Sequence, residues 1–397
     1  MKKRLLFYKL KEHIQHKNAL VITGMRQVGK TTLLKQIYEE LGQKPKLSFD
    51  FDNPLDQKIF EDIEYNNIYQ RLSNMAGTTD KSERLYIFID EIQNFPEITK
   101  VIKFMIDHYG VKFFVTGSSG FYLKNLFPES LSGRKFLYVL PPLGFQELLY
   151  FRDKISLEQA LKSSSLPDIT TRSYTDLVRF SEDYREYLEF GGLPEVVMTA
   201  DLTTKIEILR NAFSSFFEKD LKLLSDYKDI RELRDLILLL VPRVGSMLDI
   251  SKLGIELGVE RKKIYSYLEF LEGTFFLRLI PKFSHSVDRS VAGGKKVYFC
   301  DTGLLKMIGN VNDGQLLENG VANQLAPLGD ISFYNKRNTM EIDFIYNKEI
   351  AFEIKTKASE NDIEKTQEIS KKLGLSKSFV VSLNYIDHKN VISPYQL

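Results

Sequence analysis

The residues that can do chemistry begin at Gly24-Met25-Arg26-Gln27-Val28-Gly29-Lys30-Thr31. They follow the apolar run Ala19-Leu20-Val21-Ile22 and lead into Thr32-Leu33-Leu34-Lys35-Gln36-Ile37-Tyr38 at helical spacing. Gly24 and Gly29 permit the tight turn in which successive backbone N–H groups face an anion at a helix N-terminus. Lys30 adds a point charge for the terminal phosphates of a nucleotide, and Thr31 an oxygen for magnesium. A second reactive group ends another apolar run, where Leu85-Tyr86-Ile87-Phe88-Ile89 is followed by Asp90-Glu91. Such a run reads as a parallel strand buried on both faces, and carboxylates at its carboxyl end stand where open α/β sheets hold ligands. Asp90 is expected to hold the magnesium, directly or through water, and Glu91 to orient and polarise an attacking water. Alone, this pair reads equally well as an acidic helix cap after a strand; the phosphate loop upstream favours the chemical reading.

The elements that must position these groups are legible around them. A short amphipathic helix is expected over Leu5 to His16, a strand over Lys46 to Phe51, a helical segment from Pro54 to Met75 and another from Glu97 to Tyr109. A third strand, Val111 to Thr116, ends in Gly117-Ser118-Ser119, and Ser118 or Ser119 either senses the terminal phosphate and positions water or makes an ST turn. Leu131-Ser132-Gly133-Arg134-Lys135 precedes a strand from Phe136 to Leu140. Arg134 either reaches a phosphate, in its own subunit or a neighbour's, or is solvated on its loop.

These motifs together resemble the prokaryotic AAA+ ATPases that pair an N-terminal ATPase with a C-terminal region of poorly defined function. The matching stretches are Gly24 to Thr32, Leu85 to Gln93, Val115 to Ser119, Leu131 to Arg134, Pro142 to Glu147 and Gly191-Gly192-Leu193-Pro194-Glu195. The resemblance implies ATP with Mg²⁺, a nucleotide contact set of Gly24, Gln27, Val28, Gly29, Lys30, Thr31 and Thr32, metal held by Thr31 and Asp90, and catalysis by Lys30, Glu91, Ser118 and Arg134. It also implies a helical lid, read here as helical stretches at Gly144 to Leu161, Tyr174 to Tyr187, Leu202 to Leu224 and Ile230 to Leu240.

Composition bounds the rest. The 397 residues exceed one ordinary core and predict two or three domains. A formal net charge of +2 neither supports nor excludes nucleic acid, so such a partner needs a local basic patch. Cys300 is the single cysteine, which excludes an intramolecular disulfide and a thiolate metal site and fits a reducing, cytoplasmic setting. The basic start resembles a signal n-region, but Lys9, Lys11 and Glu12 interrupt the apolar segment it would need. No run of about 18 apolar residues occurs, so no membrane span or membrane partner is expected.

From Asp249 to Phe283 the order is short helix, Gly-containing turn, helix from Glu260 to Leu271, and strands around Phe275-Phe276-Leu277 and Leu279-Ile280, which is that of a winged helix-turn-helix. Ile264, Leu268 and Leu271 form its core stripe, leaving Arg261, Lys262, Tyr265 and Ser266 outward and Arg261-Lys262-Lys263 able to meet phosphates. Seven Lys/Arg against five Asp/Glu between Ser251 and Arg289 leave DNA, RNA or a protein as the partner class. Self-association into a homo-oligomer is a further expectation.

Farther on, Glu341-Ile342-Asp343-Phe344-Ile345 and Ile350-Ala351-Phe352-Glu353-Ile354-Lys355 flank a turn at Asn347-Lys348. Residues two apart share a strand face, so a hairpin gathers Asp343, Glu353 and Lys355, as metal-dependent phosphodiester hydrolysis requires. The bland alternative is a salt-bridged, solvated hairpin. The arrangement resembles the restriction-endonuclease-like superfamily, which implies Glu318 as a helix-borne acidic member beside Asp343, Glu353 and Lys355. The expected fold class is therefore α/β: a parallel-sheet phosphate-loop ATPase core (1–142), a helical lid with connecting helices (143–240), a winged helix-turn-helix (241–290) and a restriction-endonuclease-like domain (291–397). The expected function is Mg²⁺-dependent ATP hydrolysis that moves the C-terminal modules on nucleic acid. The alternatives are an ATP-gated metal-dependent nuclease and a nucleotide-dependent binding module with little turnover.

Overall fold

Runs of β-branched and aromatic residues bounded by polar turns become the central strands of a parallel sheet. The computed structural model describes residues 2–78, 83–117, 133–162, 174–220, 227–284, 286, 293–336 and 339–397. The strands are β1 (Ala19–Thr23), β2 (Lys46–Asp50), β3 (Tyr86–Asp90), β4 (Lys112–Gly117) and β5 (Lys135–Val139), in the order β2-β3-β4-β1-β5. All four pairings are parallel, and β1, β3 and β4 are buried along their whole length. Such strands need a layer on each face. Ala19, Val21, Ile87, Ile89, Phe113 and Val115 share one core with Ile68 and Leu72 of helix Tyr65–Met75 and with Val101, Ile102 and Met105 of helix Ile98–Tyr109. On the other face Phe88 stacks on Phe114 and meets Tyr38 of helix Lys30–Glu40 edge to face. The buried Lys112 ammonium donates to the carbonyls of His13 (3.1 Å), His16 (2.8 Å) and Asn18 (2.5 Å), fixing the chain where it enters β1.

Some expected elements are shorter or divided, for local reasons. The first helix spans Leu5–Lys11. The segment from Pro54 to Met75 is two helices, Pro54–Lys58 and Tyr65–Met75. Between them Asp62 accepts from the Glu64 N–H, and Glu64 caps the second helix at Asn66, side-chain bonds that compete with a continuous helix. Similarly Gly144 to Leu161 divides into Phe145–Phe151 and Leu157–Lys162, where Ser156 and Gln159 bond each other's backbone N–H reciprocally.

The chain forms two compact units, Met1–Pro141 with Gly273–Phe275, and Pro142–Glu272 with Phe276–Leu397. The second unit continues with helices Tyr174–Phe190, Pro194–Met198 and Leu202–Ser215, the last running into a π-helical turn at Phe216–Asp220. Helices Tyr227–Leu240, Ile250–Leu257 and Arg261–Gly273 follow, then β6 (Leu277–Pro281) and β7 (Lys295–Phe299), which pair antiparallel. The expected separate strands near Phe275 and Leu279 are this one strand, because Phe275 takes a left-handed φ of 59° that breaks an extended run. Val244 and Met247 bridge to β7 as well. A boundary at 290/291 falls in the connection between these paired strands, so β7 belongs with β6.

After helices Thr302–Ile308 and Asp313–Leu325 comes a second sheet of β8 (Ile331–Lys336), β9 (Met340–Tyr346), β10 (Ile350–Lys355), β11 (Lys377–Ser382) and β12 (Val391–Ile392), ordered β12-β11-β10-β9-β8. β8, β9 and β10 pair antiparallel, whereas β10, β11 and β12 pair parallel, with helix Glu360–Lys372 crossing between β10 and β11. In the β9–β10 connection Asn347 (φ 47°) and Lys348 (φ 61°) are the central residues of a turn closed by the Glu349 N–H on the Tyr346 carbonyl (2.9 Å), the positive φ values suiting the right-handed twist of the strands. Among the described residues no helix is long and apolar enough to cross a membrane.

One close approach organises the second unit. Asp301 is buried and accepts from the Gly192 N–H (2.8 Å) and the Leu304 N–H (2.9 Å). Gly303, the second residue of its helix, would place a Cβ 2.1 Å from the Phe190 carbonyl oxygen. Gly303→Ala is therefore expected to cost about 1–3 kcal/mol in urea unfolding. Gly144→Ala, where nothing lies within 4 Å, should change it by less than about 1 kcal/mol.

Candidate active site

The loop between β1 and helix Lys30–Glu40 has the backbone its glycines foretold. A Cβ on Gly24 (φ 150°) would lie 2.2 Å from the Leu140 carbonyl oxygen, and Gly29 (φ 93°) begins the helix from the left-handed region. Gln27 (φ 63°) shares that region, so the loop alternates in the manner of an anion-binding nest. The buried Lys30 ammonium lies within the loop, donating to the Gly24 (3.0 Å) and Met25 (2.9 Å) carbonyls. From outside, the buried Arg4 guanidinium donates to the Val28 (2.5 Å) and Pro141 (2.8 Å) carbonyls and ties the loop to the end of the sheet.

Sheet register brings the other groups to this loop. Thr23 of β1 pairs with Gly117 of β4, and Ile89 of β3 with Val115, so the carboxyl ends of three strands converge there. The buried Asp90 carboxylate accepts on Oδ2 from Thr31 Oγ1 (2.5 Å) and on Oδ1 from Thr116 Oγ1 and the Glu91 N–H (3.2 Å). Glu91 has left-handed backbone (φ 52°, ψ 49°), an uncommon conformation for a non-glycine residue that concentrates at functional sites, and its carboxylate accepts from Gln93 Nε2. Thr31 and Asp90 are hard oxygen donors in direct contact, one from the loop and one from a strand end, and they fit magnesium. The loop amides and Lys30 fit the phosphates it would accompany.

Two expected members stand differently. Ser118, like Ser119, lies outside the described residues. Arg134 precedes β5, and its carbonyl accepts from the Ala19 N–H at the amino end of β1, so a whole strand, about 15 Å, separates it from the loop. It pairs with Asp107 at 2.6 Å, which corrects its expected role at its own subunit's phosphates. Sequence reading missed Thr116, whose signal was a polar residue closing an apolar strand, and Arg4, which carried no local signal.

A second cluster forms on β7, β9, β10 and helix Asp313–Leu325. Ladder pairing of β9 with β10 runs to Phe344↔Phe352, and beyond it the Asp343 carboxylate accepts from the Ile354 N–H (2.8 Å). Glu353 Oε1 meets Lys355 Nζ at 2.6 Å, while its Oε2 is buried with no hydrogen-bond partner. Glu318 accepts from the Tyr298 hydroxyl (2.5 Å). All four expected members, Glu318, Asp343, Glu353 and Lys355, are thus gathered, but Lys296 stands among them, unforeseen. Its ammonium is 2.9 Å from Glu341, 3.5 Å from Glu318 and 3.6 Å from Asp343. Burial opposes its charge, yet Glu318, Asp343 and Glu341 together hold its pKa above the ordinary lysine value. Burial, then the Asp343 charge, pushes Glu318 up to about 7 and Glu353 up to about 8. Among the described residues no three acidic, His or Cys side chains are grouped to hold a metal ion. With an ammonium facing three of the carboxylates, this donor set does not fit a divalent metal.

Lys263 was expected at a phosphate. It is instead bound to Asp229 (2.7 Å) and Glu232 (2.6 Å), which also accept from Tyr267. Arg261, Lys262, Tyr265 and Ser266 are exposed as expected, and Ile264, Leu268 and Leu271 are buried.

Residues 16–149 match a family described as an AAA domain, and residues 181–315 match a domain of unknown function, DUF8612. An uncharacterized protein of Haemophilus influenzae is 30% identical over 362 residues, which is 86% of this chain and 84% of the relative. One of Methanocaldococcus jannaschii is 26% identical over 384 residues, covering 92% of this chain and 82% of its own length. A Walker-type ATPase of Pyrococcus abyssi aligns with a TM-score of 0.44 at 14% identity, over 76% of this chain and 94% of that one.

The raised carboxyls set a pH dependence. Their folded pKa values lie above the ordinary 4.5, so the stability they contribute is complete below pH 4.5 and is lost as pH rises through about 7 and 8. The melting temperature is expected to fall as pH rises from about 5 to about 8 and to level off above that. Glu353→Gln should flatten that slope; an unchanged slope would show that Glu353 does not titrate there.

Proposed function

Because this chain belongs to the same family as the uncharacterized Haemophilus influenzae protein and its N-terminal domain is of the AAA ATPase type, we propose that it is a magnesium-dependent ATPase whose cycle drives a conformational change in the C-terminal modules on nucleic acid. The observation that carries the chemistry is the contact of Thr31 with Asp90 beside Lys30, with Glu91 on the next residue. In this reading the loop amides and Lys30 bind the phosphates, and Thr31 and Asp90 hold magnesium, which supplies charge neutralisation on the phosphate oxygens. Glu91 orients the attacking water, and Thr116 keeps the Asp90 carboxylate turned toward the loop. Arg134, remote from its own loop, enters only through a neighbouring copy in a homo-oligomer.

Nucleic acid is favoured by the second unit. Helix Tyr227–Leu240, the bridged segment at Val244 and Met247, two further helices and the β6–β7 hairpin follow the order of a winged helix, whose second short-turn helix presents Arg261, Lys262 and Tyr265 outward. The sheet from β8 to β12 resembles a restriction-endonuclease-like core. It is read here as a binding module, since its donor set fits no metal.

Lys30→Ala should abolish nucleotide binding, and Glu91→Gln should keep binding while slowing hydrolysis about 10²- to 10⁴-fold. Fluorescence anisotropy with single-stranded, duplex and branched DNA and with RNA, using ATP-loaded Glu91→Gln, tests the partner. Arg261→Ala and Lys262→Ala should each weaken binding across sequences and lower the salt slope by about one. Equal affinity with and without ATP, or unchanged affinity in both variants, would remove nucleic acid from the reading.

A further inference from the structure

We propose that the Lys296 ammonium is the resident cation of the cluster formed by Glu318, Glu341 and Asp343, and that it keeps divalent metal out of that cluster. The inference concerns the second unit alone and does not depend on the ATPase reading.

Three carboxylates from two elements, a helix and β9, converge on one point, and that point holds a lysine nitrogen whose side chain is 4% exposed. A divalent ion needs its oxygens at about 2.0–2.6 Å from a common centre, and the ammonium stands at that centre. The oxygens carry further bonds: Asp343 Oδ2 accepts from the Ile354 N–H, Glu318 Oε1, the oxygen facing Lys296, also accepts from the Tyr298 hydroxyl, and Glu353 Oε1 meets Lys355. Lys296 is not a surface side chain folded inward. It sits on β7 between Lys295 and Val297, which both pair with β6, and it bridges to Met247 at the backbone. Tyr298, two residues on, enters the cluster on the same face of the strand. Backbone pairing on both sides therefore fixes where the ammonium goes.

A buried lysine also satisfies the cluster electrostatically. Removing it leaves the largely buried Glu318 and Asp343 carboxylates without that countercharge, which is strongly unfavourable unless a proton or another cation replaces it. The proposal holds that a metal can take that place once the side chain is shortened of its charge.

Manganese binding to the nucleotide-free full chain, read by electron paramagnetic resonance, tests this. Wild type should show no Mn²⁺ whose binding depends on Asp343. Lys296→Met should gain one such site, and the gain should vanish in Lys296→Met/Asp343→Asn. A wild-type Mn²⁺ site lost in Asp343→Asn overturns the proposal, as does a folded Lys296→Met that gains no site. Should Lys296→Met fail to fold, the comparison of wild type with Asp343→Asn decides alone: no Asp343-dependent Mn²⁺ supports the resident lysine, and such binding refutes it.

Discussion

The N-terminal domain depends on one carboxylate at the end of one buried strand. Asp90 takes a hydroxyl from Thr31 on one oxygen and a hydroxyl from Thr116 on the other, so the phosphate loop, β3 and β4 meet through a single side chain. A buried carboxylate is tolerable only when its lone pairs are occupied or a cation faces it. Parallel pairing of β1, β3 and β4 puts the three donors within reach, and helices on both faces keep that end of the sheet from shifting. Lys30, the residue before Thr31, donates to carbonyls of its own loop.

The second unit holds a contrasting solution to the same problem. Glu318, Asp343 and Glu341 are also carboxylates gathered by a strand end and a helix, but their countercharge is part of the chain. At Asp90 the facing groups are neutral hydroxyls, which leaves the carboxylate's charge available to an external ion. At Asp343 the facing group is an ammonium, which does not. Two acidic sites that look alike in sequence thus differ in what faces them, and the difference lies in one residue on a neighbouring strand.

What was legible in the sequence follows from how local each determinant is. Gly24, Gly29 and Lys30 act within a single turn, so their spacing reports both the loop's backbone and its chemistry. The hairpin of β9 and β10 was equally legible, because Asn347-Lys348 marks a turn and alternation fixes which side chains share a face. Which subunit Arg134 could serve was not legible, because the sequence does not say at which end of β1 and β5 it stands; pairing of the two strands puts it a strand's length from its own loop. Thr116 was passed over for Ser118 because a strand's last inward side chain depends on register, and register depends on the partner strands. Lys296 was invisible for a stronger reason. It reaches Asp343 only because β7 pairs with β6, and β6 leads into the contact of Lys282 with Phe333 on β8. Lys263 shows the reverse case, a basic residue at an apt position whose charge is taken by Asp229 and Glu232 on another helix.

The proposed reading gives ATP chemistry to the first unit and recognition to the second. The most direct measurement is phosphate release from ATP by the purified wild-type chain, in magnesium and in excess EDTA, with DNA and RNA each supplied in turn. The account predicts turnover in magnesium and none in EDTA, since it assigns the magnesium to Thr31 and Asp90. ATP that binds in magnesium yet is never turned over, whatever nucleic acid is present, would contradict it.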